Sequence, residues 1–140
     1  MRRRSAQQPD PEFFIDRSLG RHVVARALRE VGLTVHTLSS VYGEAEGQRV
    51  SDEDWLRLAG ACGWLVLMKD DSIRRRPWEL TALQEAKVRA FCVTNASLTG
   101  QQYADLIVRH RHRIIQRGRH PGPYVYGIYD RGLGRLWPKD

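Results

Sequence analysis

Lysine is almost missing from this chain: Lys69, Lys87 and Lys139 are the only three among 140 residues. Arginine supplies the rest of the 23 basic residues. A guanidinium binds phosphate as a planar fork and stacks on bases, so the bias suits a nucleic-acid partner as well as a plain codon preference. Cysteine is scarce too. Cys62 and Cys92 lie far apart in apolar stretches, with no CxxC and no Cys/His pairing at zinc spacing. That excludes a disulfide framework and predicts two buried free thiols, in keeping with a reducing cytoplasm. Long hydrophobic runs are absent as well. The longest stretch free of charged or strongly polar residues, Ala59 to Met68, is about half of the ~20 residues a membrane span needs, so no membrane role is expected. The opening Met1-Arg2-Arg3-Arg4 leads into Gln7-Gln8-Pro9-Asp10-Pro11 with no apolar segment, so residues 1–12 read as a flexible tail and not a signal peptide. Glycines are scattered, without GxGxxG or a phosphate loop, and no nucleophile motif with a base occurs.

The composition that remains, 41% apolar and 28% charged, excludes a fibrous or wholly disordered chain. The length fits one domain, read as residues 13–140. A net charge of +7 makes a polyanionic partner plausible, with nucleic acid the leading candidate.

Along the chain, Phe13-Phe14-Ile15-Asp16 reads as a buried strand ending in an acid. Residues 19–31 read as a helix with Val23, Val24, Ala27, Leu28 and Val31 on its apolar face, stopped by Gly32. Leu33 to Thr37 reads as a strand and Ser39 to Gly47 as a loop. Ser51 caps a helix whose first turn holds Asp52, Glu53 and Asp54, with Trp55, Leu58, Ala59 and Cys62 as its apolar stripe. Trp64 to Met68 is a strand, Glu79 to Lys87 a helix, and Ala90 to Thr94 a strand. Thr99-x-x-Gln102 is a capping box for another helix. This alternation predicts a three-layer α/β/α fold around a mainly parallel sheet of about four strands, with residues 118–140 as a β-hairpin or arm.

In an open parallel sheet, sites form outside the carboxyl ends of the strands. Asp16 ends the first strand, and Asp70 with Asp71 follows the third. Asp52 and Asp54 begin a helix that runs back against the strands, so they start at the same edge. Three carboxylate sources therefore converge. Clustered carboxylates repel unless a cation joins them, and hard oxygen ligands suit Mg²⁺ or Mn²⁺. Such ions activate water for in-line attack on a phosphodiester. Taken singly, Asp52 and Asp54 also fit helix capping, and Asp16 and Asp70 fit turns.

The series Phe13-Phe14-Ile15-Asp16-Arg17-Ser18-Leu19-Gly20, then Ser51-Asp52-Glu53-Asp54-Trp55-Leu56, then Val66-Leu67-Met68-Lys69-Asp70-Asp71, resembles PIN-like domains, closest to the VapC-type toxins of bacterial toxin–antitoxin pairs. The resemblance covers roughly residues 13–115. It implies a Mg²⁺- or Mn²⁺-dependent endoribonuclease, often cutting structured RNA such as tRNA, usually a homodimer and neutralised by a cognate antitoxin. On its pattern Asp16, Asp52 and Asp70 are the catalytic and metal-binding acids, with Asp54 and Asp71 in reserve. The family often carries a further acid after the fourth strand. Here Thr94-Asn95-Ala96-Ser97 has none, which leaves Asn95 to hold a water or the metal.

Basic clusters flank these acids. Arg17 adjoins Asp16, and Arg74-Arg75-Arg76-Pro77-Trp78 follows Asp70, offering guanidinium clamps for phosphate and an indole for an unpaired base. Arg109, Arg111 and Arg113, continued by Arg117 and Arg119, form a further basic stretch without an acid. It reads as an RNA face, with an antitoxin face as the rival. His110 and His112 are two apart, so on a helix they do not chelate one metal. The alternative to a nuclease is a non-cleaving RNA- or protein-binding module that uses these Arg faces.

Overall fold

The computed structural model describes residues 9–20, 22–69 and 76–139. Asp70, Asp71, Arg74 and Arg75 lie outside them. In chain order the elements are β1 (Phe13–Ile15), a 3₁₀ turn (Arg17–Leu19), α1 (Val23–Glu30), β2 (Val35–Thr37), α2 (Leu38–Tyr42), α3 (Glu44–Arg49), α4 (Asp52–Cys62), β3 (Leu65–Lys69), α5 (Pro77–Glu85), β4 (Arg89–Val93), α6 (Gly100–Arg109), α7 (Arg111–Gly118), β5 (Tyr124–Tyr129) and β6 (Gly132–Trp137).

The strands form one sheet in the order β2-β1-β3-β4-β5-β6. All neighbours are parallel except β5 and β6. The four expected parallel strands form, and the expected C-terminal hairpin adds two more, giving six. The hairpin is part of the sheet: β5 pairs Tyr124 to Ile128 with Arg89 to Val93 of β4, and β6 closes the edge. Strand pairing, invisible in single-strand patterning, decides this.

Side chains alternate across the strands, as the period of two requires. Phe13, Ile15, Leu65, Leu67, Phe91, Val93 and Ile128 join the core beneath α1, α6 and α7. Phe14, Val66, Met68, Ala90, Cys92 and Val125 join the core beneath α4 and α5. Both faces are covered, which is why the strands read as unbroken apolar runs.

Other expectations change in detail. Residues 39–47 are not a loop. Thr37 caps α2 through Ser40 in a reciprocal box, and Gly43, at φ 87°, turns the chain into α3. Gly47 is buried there because a Cβ would come within 3.0 Å of the Leu38 backbone. In α1 the buried face is Val24, Ala25 and Leu28, while Val23 and Val31 are exposed. Cys92 is buried as expected, but Cys62 is exposed at the end of α4. The Ser51 cap and the Thr99–Gln102 box form as read.

Gly60 sets the spacing of α4 and α5. A Cβ there would meet the Ala86 carbonyl and lie 2.6 Å from Ala86 Cβ. Gly60→Ala must push backbone aside, and urea unfolding should show a loss of about 1–3 kcal/mol.

Candidate active site

The strand order reverses direction between β1 and β3: β2 lies outward from β1 on one side, and β4 to β6 extend from β3 on the other. In open α/β sheets, the crevice beyond the carboxyl ends of such a pair is where ligands bind. Asp16 stands there, directly after β1, with its backbone N–H donating to Leu67 O at 2.9 Å. Its Oδ2 accepts from Ser18 Oγ at 2.8 Å. Ser18 Oγ in turn accepts from the Lys69 backbone N–H at 3.0 Å. The end of β3 is thus tied to Asp16 through one serine, and the chain continues from Lys69 into Asp70.

Asp52 reaches the same edge as the first residue of α4. The Ser51 hydroxyl accepts from the Asp54 N–H at 3.1 Å, so the serine satisfies the helix end and leaves the Asp52 carboxylate available. Trp55, buried in the core, donates Nε1–H to Asp52 Oδ1 at 2.8 Å and fixes its orientation.

The Asp16 carboxyl is pushed up to about 6, chiefly by burial and then by the charge of Asp52, against the Ser18 hydrogen bond that favours ionisation. Burial and the Asp52 charge outweigh the Ser18 bond and the opposing charge of Arg17, and a bound cation would offset both.

Glu79 is the residue that the sequence did not mark. It lies in the first turn of α5, buried, hydrogen-bonded to Asp52. Burial first, then the bond and charge of Asp52, raise its carboxyl to about 7, and Arg76 opposes this. Arg76 Nη1 is 3.4 Å from both Glu79 oxygens and 3.8 Å from Asp52 Oδ2. In the sequence Glu79 reads as an ordinary first-turn acid behind Pro77. Its nearness to Asp52 depends on α4 packing against α5, which no local signal carries.

The structure therefore brings Asp16, Asp52 and Glu79 to one edge, with Arg76 beside them. Among the described residues, no three Asp, Glu, His or Cys side chains make a group that could hold a metal ion. Asp16 and Asp52 fit as two hard-oxygen ligands of a larger set. Asp54 is exposed and lies near Tyr42, whose hydroxyl its charge and, foremost, burial push up. Asn95 is exposed too, and its side-chain oxygen accepts from the Ser97 N–H at 2.9 Å, closing the loop after β4.

The basic residues divide. Arg17 spends its guanidinium on Gln48 O and Val50 O, tethering the chain before α4. Trp78 is 57% exposed, so its ring is available to stack. Arg109 and Arg113 reach the turn between β5 and β6, and Arg111 does not. Arg109 pairs with Asp130 at 3.3 Å, Arg113 donates to Arg131 O at 2.9 Å, and Arg111 donates to Val108 O. This turn follows the carboxyl end of β5, so Arg109 and Arg113 share the sheet edge with the carboxylates.

A sheet with a carboxylate crevice at its reversal point defines a class of α/β proteins with an acidic site at the carboxyl edge. A family described as PIN like domain matches residues 11–95. The chain belongs to this PIN-like family, as a VapC-type member. In particular, it is 34% identical over 124 residues, covering 89% of this chain and 90% of the relative, to a Mycobacterium tuberculosis protein named "Putative ribonuclease VapC45". No solved structure matches.

Proposed function

We propose that this chain is the toxin of a toxin–antitoxin pair and hydrolyses RNA phosphodiester bonds with Mg²⁺ or Mn²⁺, acting on tRNA or other structured RNA. The observation that carries this reading is the Asp16–Asp52 pair at the sheet reversal, with the half-buried Asp16 carboxyl raised by desolvation and by the charge of Asp52. Asp16 and Asp52 would hold the metal, with Asp70, and Asp71 beside it, supplying the further ligand. Once bound, the ion supplies an activated water and charge stabilisation on the phosphoryl group. The chain's own part is orientation. Ser18 fixes Asp16, the Trp55 indole fixes Asp52, and Arg76 offsets the acids and faces incoming phosphate. Trp78 stacks on an unpaired base, and Arg74, Arg75, Arg109, Arg111 and Arg113 draw the RNA in. An acidic antitoxin covers the basic rim, and the toxin works as a homodimer in the cytoplasm. No helix among the described residues is long and apolar enough to cross a membrane.

Purified protein incubated with cellular RNA and Mg²⁺ or Mn²⁺ should give discrete fragments, and EDTA should stop the reaction. A non-cleaving binding module would retard the RNA in a gel and leave it intact with every metal.

A further inference from the structure

Helix α7 carries a charge pattern that works against its own stability. Its first turn holds Arg111 and Arg113 and no acid, although a helix N-terminus favours negative charge. Arg113 and Arg117 stand four residues apart on one row, where like charges repel. The helix is kept by burying Ile114 and Ile115 in the core. Both unfavourable features become favourable once a polyanion lies along this face.

The structure provides a place for one. A groove of about 530 Å³ runs between α7 and the β5–β6 hairpin, lined by His112, Arg113, Arg117, His120 and Tyr126. Among the described residues, no carboxylate lines it. The lining falls on two adjacent rows: Arg113 and Arg117, four residues or about 6 Å apart on α7, and His112, Gln116 and His120 beside them. The Arg117 guanidinium lies 5.0 Å over the Tyr126 ring, a cation–π contact that keeps it at the groove wall. Arg113 donates to Arg131 O at the hairpin turn and retains further N–H donors.

We infer that this groove is a second RNA-binding site, distinct from the carboxylate crevice, which holds a single-stranded segment of the substrate by phosphate contacts and stacking. Two features favour RNA over an acidic protein. The lining mixes guanidinium, imidazole, amide and phenol side chains, which suits bases and phosphates together, whereas an acidic peptide needs the cations alone. The Arg113 end also lies by the β5–β6 turn, at the sheet edge that carries Asp16, and β5 stands three strand spacings, about 14 Å, from β1 across β3 and β4, so one RNA strand can reach both. The inference rests on RNA being the substrate.

The test is binding of a short fluorescein-labelled single-stranded RNA, measured by anisotropy in EDTA so that no cutting intervenes. Wild-type protein should bind. Arg113→Ala/Arg117→Ala should weaken binding about tenfold, and the slope of log affinity against log salt should fall by about 0.7 for each arginine removed. His112→Ser/His120→Ser, confined to exposed positions, should weaken binding in the same direction without risk to the core. Unchanged RNA affinity in both double variants, or no RNA binding by the wild type, would overturn the site. Lost binding to polyglutamate with RNA binding intact would overturn it in favour of an acidic protein partner. RNA held through this groove but left intact with Mg²⁺ and Mn²⁺ would instead defeat the nuclease reading and leave the groove standing.

Discussion

Asp16→Asn should abolish RNA cleavage and at the same time make the metal-free protein more stable at pH 8. The two effects share one cause. Removing the charge removes a metal ligand, and metal-borne charge stabilisation is worth several kcal/mol, so activity should fall by roughly 10³-fold or more. The same charge is a burden without the metal. Burial and the neighbouring Asp52 raise the Asp16 carboxyl to about 6, and each pKa unit corresponds to about 1.4 kcal/mol. An amide of the same shape keeps an oxygen for the Ser18 hydroxyl and carries no charge to desolvate. Stability at pH 8 should rise by about 2–3 kcal/mol, seen as a clear increase in Tm. A merely structural Asp16, with its hydrogen bond as its whole role, predicts the reverse on both counts: retained cutting and no gain in Tm.

The metal-free wild type should lose stability as pH rises from 5 to 8, and a divalent cation should restore it. Asp16 and Glu79 both have folded-state values raised above their ordinary ones, to about 6 and about 7. The folded chain therefore holds protons that the unfolded chain releases at lower pH. The resulting stabilisation is complete below about pH 4 and disappears as pH climbs through 6 and 7. Divalent cations act in the opposite direction. Their ligands must be ionised, so affinity rises with pH, and an ion at 100 times its Kd adds about 2.7 kcal/mol. Thermal unfolding at pH 5, 6.5 and 8, in EDTA and in excess Mg²⁺ or Mn²⁺, measures both trends. A Tm in EDTA that rises from pH 5 to 8 would contradict the raised values of Asp16 and Glu79.

What the sequence disclosed and what it hid follow one physical division. Asp16 was legible because a charge directly after Phe13-Phe14-Ile15 needs a partner, and because β1 is buried on both faces and so lacks the alternation of a half-solvated strand. The helix starts at Ser51 and Thr99 were legible because capping is a contact between residues three apart. Features that depend on distant packing stayed hidden. Glu79 meets Asp52 only because α5 lies on α4 at the spacing Gly60 permits. The helices α2 and α3 are too short for a hydrophobic period, and Gly43 and Gly47 there serve a turn and a close approach while reading as loop signals. The C-terminal hairpin itself was legible, but its joining the sheet through β5 and β4 was not. The exposure of Cys62 was missed because it sits one step past the buried stripe that ends at Ala59.

The most direct test of the carboxylate crevice as a metal-dependent RNA-cutting centre is a paired rate measurement. Wild-type, Asp16→Asn and Asp52→Asn proteins are freed of metal with EDTA, dialysed, and mixed in excess with end-labelled RNA before and after Mg²⁺ or Mn²⁺ is added. The account predicts cutting by the wild type only after metal addition, and a loss of roughly 10³-fold in both variants with their folds intact. Cutting by the wild type at equal rates with and without metal, or by Asp16→Asn at the wild-type rate, would contradict it.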